Sequence, residues 1–160
     1  MIESFSFSSE VIQNWLMFIN IIAIGIITIY LHIKNEKTSR EQAILNKLEN
    51  IQKISVSFPY LEDKKYTENW KMNRSLYLSE ELSDKDKEMF LRYNAYTELI
   101  FNLTEICVSF YKTEENLLNK IDFKSWIRVH KSCWSEPLEE YSNRDVYSEA
   151  MNKMIDKWIN

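Results

Sequence analysis

Glycine is almost missing from this chain: it occurs once in 160 residues, at position 25. Phosphate-cradling loops, dinucleotide-binding turns and nucleophile elbows need glycine wherever the backbone bends tightly or closes on a ligand. Past Gly25 none of these can be built in its usual form, so no cofactor and no enzymatic activity is expected. Proline is confined to Pro59 and Pro137, and with the shortage of glycine this disfavours hairpin-rich sheets and favours helices. The only cysteines, Cys107 and Cys133, give no disulfide framework and suit a reducing compartment. The formal net charge of -4 lacks the basic footprint of a nucleic-acid binder, so no DNA partner is expected.

One stretch lacks charge altogether. Residues 11–33 (VIQNWLMFINIIAIGIITIYLHI) contain no Asp, Glu, Lys or Arg and are bounded by Glu10 and Lys34. A helix rises about 1.5 Å per residue, so this run is long enough for a hydrocarbon core of about 30 Å. A cleavable signal peptide would need a basic start, a shorter apolar core and a small-residue cleavage site, none of which is present. A soluble core helix would carry a polar face, and this one is apolar nearly all round. The pattern predicts a single transmembrane helix at 11–33. Glu3 and Glu10 precede it, while Lys34, Lys37 and Arg40 follow. The positive-inside bias then puts residues 1–10 outside the membrane and the C-terminal part in the cytosol. Asn20 falls near mid-bilayer with Gln13 and Thr28 on the same side, and an amide in hydrocarbon seeks a partner, which predicts a homo-oligomer associating through Asn20, with a monomeric anchor that tolerates one amide as the alternative.

What remains reads as a juxtamembrane helical stalk, 34–58, and a helical domain, 59–160. The stalk carries a seam of Ile44, Leu48, Ile51 and Phe58, too short to be stable unless it packs on another subunit or on the domain itself. Ser39-Arg-Glu-Gln42 has the capping-box form, with an uninterrupted helix from the membrane as the alternative. Residues 60–74 show no period and read as a loop with a short helix near Trp70. From Ser83 onward Met89, Tyr93, Tyr96, Ile100, Leu103, Cys107 and Phe110 alternate spacings of four and three, which predicts a long helix at the centre of the domain. A shorter helix with Leu117, Leu118 and Ile121 follows. Residues 122–134 read as one helix with Phe123, Trp126, Ile127, His130 and Trp134 on its inner side, and 144–159 as another with Val146, Tyr147, Ala150, Met151, Met154, Ile155 and Trp158 inward. The whole is predicted to be an all-α bundle.

Chemistry is sparse. His130 and Cys133 lie three apart on one helix, yet only His32 and Cys107 remain as further soft ligands, so no metal site is expected. Cys107 falls on the apolar stripe, where thiols are inert. The basic residues are more pointed. Lys124, Arg128 and Lys131 share one helical face, and Lys71 and Arg74 neighbour Trp70. Guanidinium forks with aromatic faces suit a nucleotide-like anion, and a solvated helix face is the plainer account of the same charges.

The run YTELIFNLTEICVSFYK (96–112), followed by Ile121-Asp122, Trp126 and Trp134, resembles a family of bacterial single-pass membrane proteins of unknown function with cytosolic helical domains. The layout of one N-terminal span and a small helical domain is also similar to the membrane-anchored effectors of type III CRISPR defence. That resemblance implies a bacterial inner-membrane protein, with the lipid bilayer as partner and a cyclic oligonucleotide as ligand. On that reading an antiviral effector binds the messenger through Trp70, Lys71, Arg74, Lys124, Arg128 and Lys131. The alternative is an adaptor that holds a protein partner at the membrane.

Overall fold

All secondary structure among the described residues is helical, and no strand occurs there. The computed structural model describes residues 9–139 and 142–160, so Glu3 and the tail ahead of Ser9 lie outside the described residues. The chain divides into two compact units, Met1–Ala43 and Ile44–Asn160. The first helix, α1 (Ser9–Ser57), contributes to both.

Within the first unit the apolar side chains of 11–33 point outward. Ile21 is 68% and Ile24 64% exposed, and none of the most apolar window of the helix is covered by protein. A soluble core helix of this composition would be mostly buried, so this helix is long and apolar enough to cross a membrane. The Thr28 hydroxyl donates to the Ile24 carbonyl at 2.8 Å and is satisfied inside its own helix. Asn20 is exposed, and its amide has no hydrogen bond among the described residues. A Cβ added at Gly25 would meet nothing within 4 Å, so no close approach in this unit requires the lone glycine.

The second unit begins on the last turns of α1. Ile44 and Ile51 are 2% and 4% exposed, and Leu48, Ile54 and Phe58 pack against the same core. The seam read as part of a stalk is therefore seated on its own domain. No break occurs at Ser39, and α1 runs uninterrupted to Ser57. Pro59 then opens a 3₁₀ turn (Pro59–Glu62), where its missing N–H leaves nothing unsatisfied.

The short helix expected near Trp70 is present as α3 (Trp70–Leu78), and the part expected to be loop contains a further helix, α2 (Lys64–Glu68). The Asp63 carboxylate caps α2, accepting from the Lys65 N–H at 2.7 Å. The central helix, α4 (Asp84–Tyr111), starts at Ser83, whose hydroxyl accepts from the Asp86 N–H at 3.2 Å. Its buried face holds Tyr93, Tyr96, Ile100, Leu103 and Cys107 from the expected stripe and adds Phe90, Phe101 and Val108. The stripe is wide because neighbours cover α4 from more than one side. These are α3, α5 (Glu114–Leu118), α6 (Phe123–Val129) and α9 (Glu149–Ile159).

Two elements expected to be single are divided. Residues 122–134 break at His130 into α6 and α7 (Lys131–Ser135), and 144–159 break after α8 (Asn143–Val146) at Tyr147 and Ser148. Ser148 caps α9, accepting from the Met151 N–H at 3.3 Å and donating to Glu105 Oε2 at 3.0 Å. The break turns Val146 and Ala150 out to solvent instead of inward, while Met151, Ile155 and Trp158 stay buried. Without glycine, the positive-φ positions after α3 and α4 fall to Glu80 (φ 60°) and Lys112 (φ 62°).

Candidate functional site

The residues expected to bind an anion are scattered and mostly engaged. Trp70 is 1% exposed, stacks on Phe90 with centroids 4.9 Å apart, and donates its indole N–H to the Glu136 carbonyl at 2.6 Å. It offers no ring face to a base, because the core has taken it. Lys71 pairs with the Glu136 carboxylate, and Arg74 Nε donates to the Pro137 carbonyl at 2.8 Å. Together the three side chains fasten the segment after α7 to α3. Arg128 Nε donates to the Trp158 carbonyl at 2.7 Å, placing a cation on the last turn of α9, where the helix dipole is negative. Lys124 lies close enough to the carboxylates of Glu114 and Asp122 to help lower their pKa values, after the larger effects of Lys157 on Glu114 and of Ser125 on Asp122. Lys131 is exposed and lies beyond the break at His130. The structure thus brings Trp70, Lys71 and Arg74 together around one loop and separates them in role from Lys124 and Arg128.

His130 and Cys133 do not converge on a shared point. His130 is fully buried with Nδ1 2.9 Å from the Tyr93 hydroxyl, and Cys133 Sγ lies 3.0 Å from Thr97 Oγ1. No cluster of three or more metal-type ligands occurs among the described residues. Burial pushes the thiols of Cys107 and Cys133 up to about 12, which keeps both protonated and unreactive at neutral pH.

A different group of polar side chains does converge. A groove of about 440 Å³ lies in the second unit, and Leu48, Gln52 and Ser55 of α1 are part of its lining. Glu62 of the 3₁₀ turn and Lys120, Ile121, Asp122 and Trp126 complete the lining. One oxygen of Glu62, Oε1, accepts from the Tyr96 hydroxyl and from Trp126 Nε1 at 2.6 Å. The other, Oε2, has no partner among the described residues. Behind it His130 Nε2 sits 3.5 Å from Oε1, beyond good hydrogen-bond geometry, and this fully buried nitrogen has no hydrogen-bond partner among the described residues.

Burial alone would raise the Glu62 carboxyl. The facing imidazole and the Tyr96 and Trp126 donors outweigh it and hold the group below its ordinary 4.5. We credit Tyr96 and Trp126 with most of this, since their hydrogen bonds are short and His130 is not in bonding geometry. Burial, helped by the Glu62 charge, pushes the hydroxyls of Tyr93 and Tyr96 above their ordinary 10.0, so both stay neutral donors or acceptors. The result is an ionised carboxylate fixed beside an indole in a concave, partly dry site.

Sequence reasoning passed over Glu62 because it sits in the aperiodic run YLEDKK. A signal was present elsewhere. Tyr93 and Tyr96 face inward from α4, and Trp126 and His130 face inward four residues apart. Four polar-tipped rings on two facing inner faces need a buried acceptor between them.

No protein-family model, curated protein or solved structure matches this chain. The functional reading therefore stands on the outward apolar helix and on the groove.

Proposed function

We propose that this protein is a membrane-anchored sensor and effector. Residues 11–33 tether it to the bacterial inner membrane as a single pass, and the C-terminal helical domain binds a ligand in the Glu62 groove. The observation that carries the reading is that part of the groove lining, Leu48, Gln52 and Ser55, belongs to α1, whose N-terminal part is the uncovered apolar stretch. Occupancy of the groove therefore touches the one chain segment that leads to the bilayer. The defence version, in which a ligand raised by infection triggers disturbance of the membrane, takes its support from the layout described above. The groove is a better ligand site than the expected basic set, because Trp70 is in the core and Lys71, Arg74 and Arg128 already hold backbone or carboxylate partners.

The test uses the full-length protein in its native host. It is expected to stay in the membrane pellet after alkaline carbonate and to need detergent for release. Phage challenge is expected to depolarise wild-type cells, and Gln52→Lys, an exposed groove position, is expected to abolish that response at equal membrane abundance. Release by carbonate alone would remove the anchor. Identical membrane potentials in wild-type and variant cells, challenged or not, would remove the sensor and favour a tether that only holds a protein partner at the membrane.

A further inference from the structure

We propose that the groove takes an organic cation, a primary ammonium or guanidinium group on a small apolar body, with its charge on Glu62 Oε2 and its body against Trp126. This rests on the reading of the groove as the ligand site and names the chemistry of what enters it.

Charge comes first. The lining holds two carboxylates, Glu62 and Asp122, against the single ammonium of Lys120, so it is negative at neutral pH. The N-terminal end of α6 would otherwise draw an anion, but the Asp122 carboxylate already covers it, accepting from the Ser125 N–H at 3.1 Å. An incoming phosphate would face that carboxylate and Glu62 together.

Hydrogen-bonding capacity points the same way. Glu62 Oε2 is unclaimed among the described residues, while the Ser55 hydroxyl is taken up by the Gln52 carbonyl, to which it donates at 2.9 Å, and by the neighbouring Tyr96 hydroxyl. The Gln52 amide oxygen adds a further acceptor. An ammonium, with three donors and no acceptor, matches the open oxygen of Glu62, whereas an anion drawn by the Lys120 ammonium or the Gln52 amide N–H groups would have to face both carboxylates. Trp126 supplies aromatic surface of the kind that attracts cations. The carboxylate is also preorganised. Tyr96 and Trp126 fix Oε1, and the buried His130 Nε2, unpartnered among the described residues, backs it, so binding does not have to order the group that receives the charge.

Titration calorimetry on the full-length protein in lipid nanodiscs tests this with three probes: Nα-acetyl-lysine methylamide, its uncharged norleucine counterpart, and adenosine monophosphate. The lysine derivative is expected to bind at least about tenfold more tightly than the norleucine one, the ratio of a single well-placed charge-assisted hydrogen bond. Glu62→Gln is expected to erase that preference. Because Glu62 also ties down its neighbours, Gln52→Lys serves as a second variant, placing a fixed cation in the groove from an exposed position and expected to weaken the lysine probe at least about tenfold. Equal or tighter binding of the norleucine probe that is lost in Gln52→Lys, or of the nucleotide that is strengthened in Gln52→Lys, overturns the cation while leaving the groove as a ligand site. Failure of all three probes, with Gln52→Lys silent in cells as well, overturns the ligand site itself.

Discussion

Glu62 shows how one side chain can be both a structural tie and a chemical handle. A single oxygen holds Tyr96 from α4 and Trp126 from α6, so the carboxylate fastens the turn after Pro59 to two helices. Its folded pKa lies below the ordinary 4.5, so the stabilisation is complete above that value and is lost as pH falls through the folded value. Glu62→Gln removes the charge but keeps the shape. It is expected to lower stability by about 1–2 kcal/mol at neutral pH, and the gap to wild type should narrow as pH falls through the folded pKa of Glu62, where the native group is itself protonated. Urea melts at pH 7 and through a descending acid series below 4.5 follow the gap, and a gap that never narrows across the series would show that shape, not charge, is what Glu62 contributes. None of this is legible from the run YLEDKK. The acceptor can be inferred only by asking what the inward rings at 93, 96, 126 and 130 donate to, a question about three dimensions.

At the scale of the element, legibility followed the caps and the long period. Ser83 and Thr113 begin helices as their position before periodic runs predicts, and Pro59 marks the end of α1. The divisions at His130 and Ser148 were hidden because the apolar spacing continues across both. What interrupts the helices is tertiary: the Tyr93 hydroxyl holds His130, and Glu105 holds Ser148. The seam on α1 was visible as a pattern, but whether it faced a second subunit or its own domain depended on residues far along the chain. The scarcity of glycine has its own consequence for helix ends. Lys112 closes α4 at φ 62° while its N–H donates to the Val108 carbonyl at 3.0 Å, a backbone arrangement that suits glycine better. Relief of the left-handed strain is worth about 1–2 kcal/mol and the added freedom of the unfolded chain subtracts about 0.5–1 kcal/mol. Lys112→Gly is therefore expected to stabilise by about 0.5–1 kcal/mol, seen as a rise in the melting midpoint, whereas Lys112→Ala should bring no gain.

For the molecule as a whole, composition spoke more clearly than chemistry. The absence of charge in 11–33 and of glycine beyond Gly25 predicted the outward apolar helix and the all-helical domain. The basic residues misled because Lys and Arg serve equally as solvated charges, helix-end caps and loop fasteners, and only the fold distinguishes these uses. Sidedness can be read with one introduced thiol. Val56 is 79% exposed, while Cys107 and Cys133 are buried, so Val56→Cys should be the site that a membrane-impermeant maleimide reaches. Labelling only after the cells are opened is expected if positive-inside orientation holds, and labelling of intact cells would reverse it. Of the tryptophans, Trp70, Trp134 and Trp158 are sealed away from water and Trp15 sits in the apolar stretch, which leaves Trp126 as the half-exposed indole, with its N–H held by a carboxylate. The protein therefore contains its own fluorophore in the lining of the groove, and light emitted by unlabelled material can register an arriving guest or a departing proton.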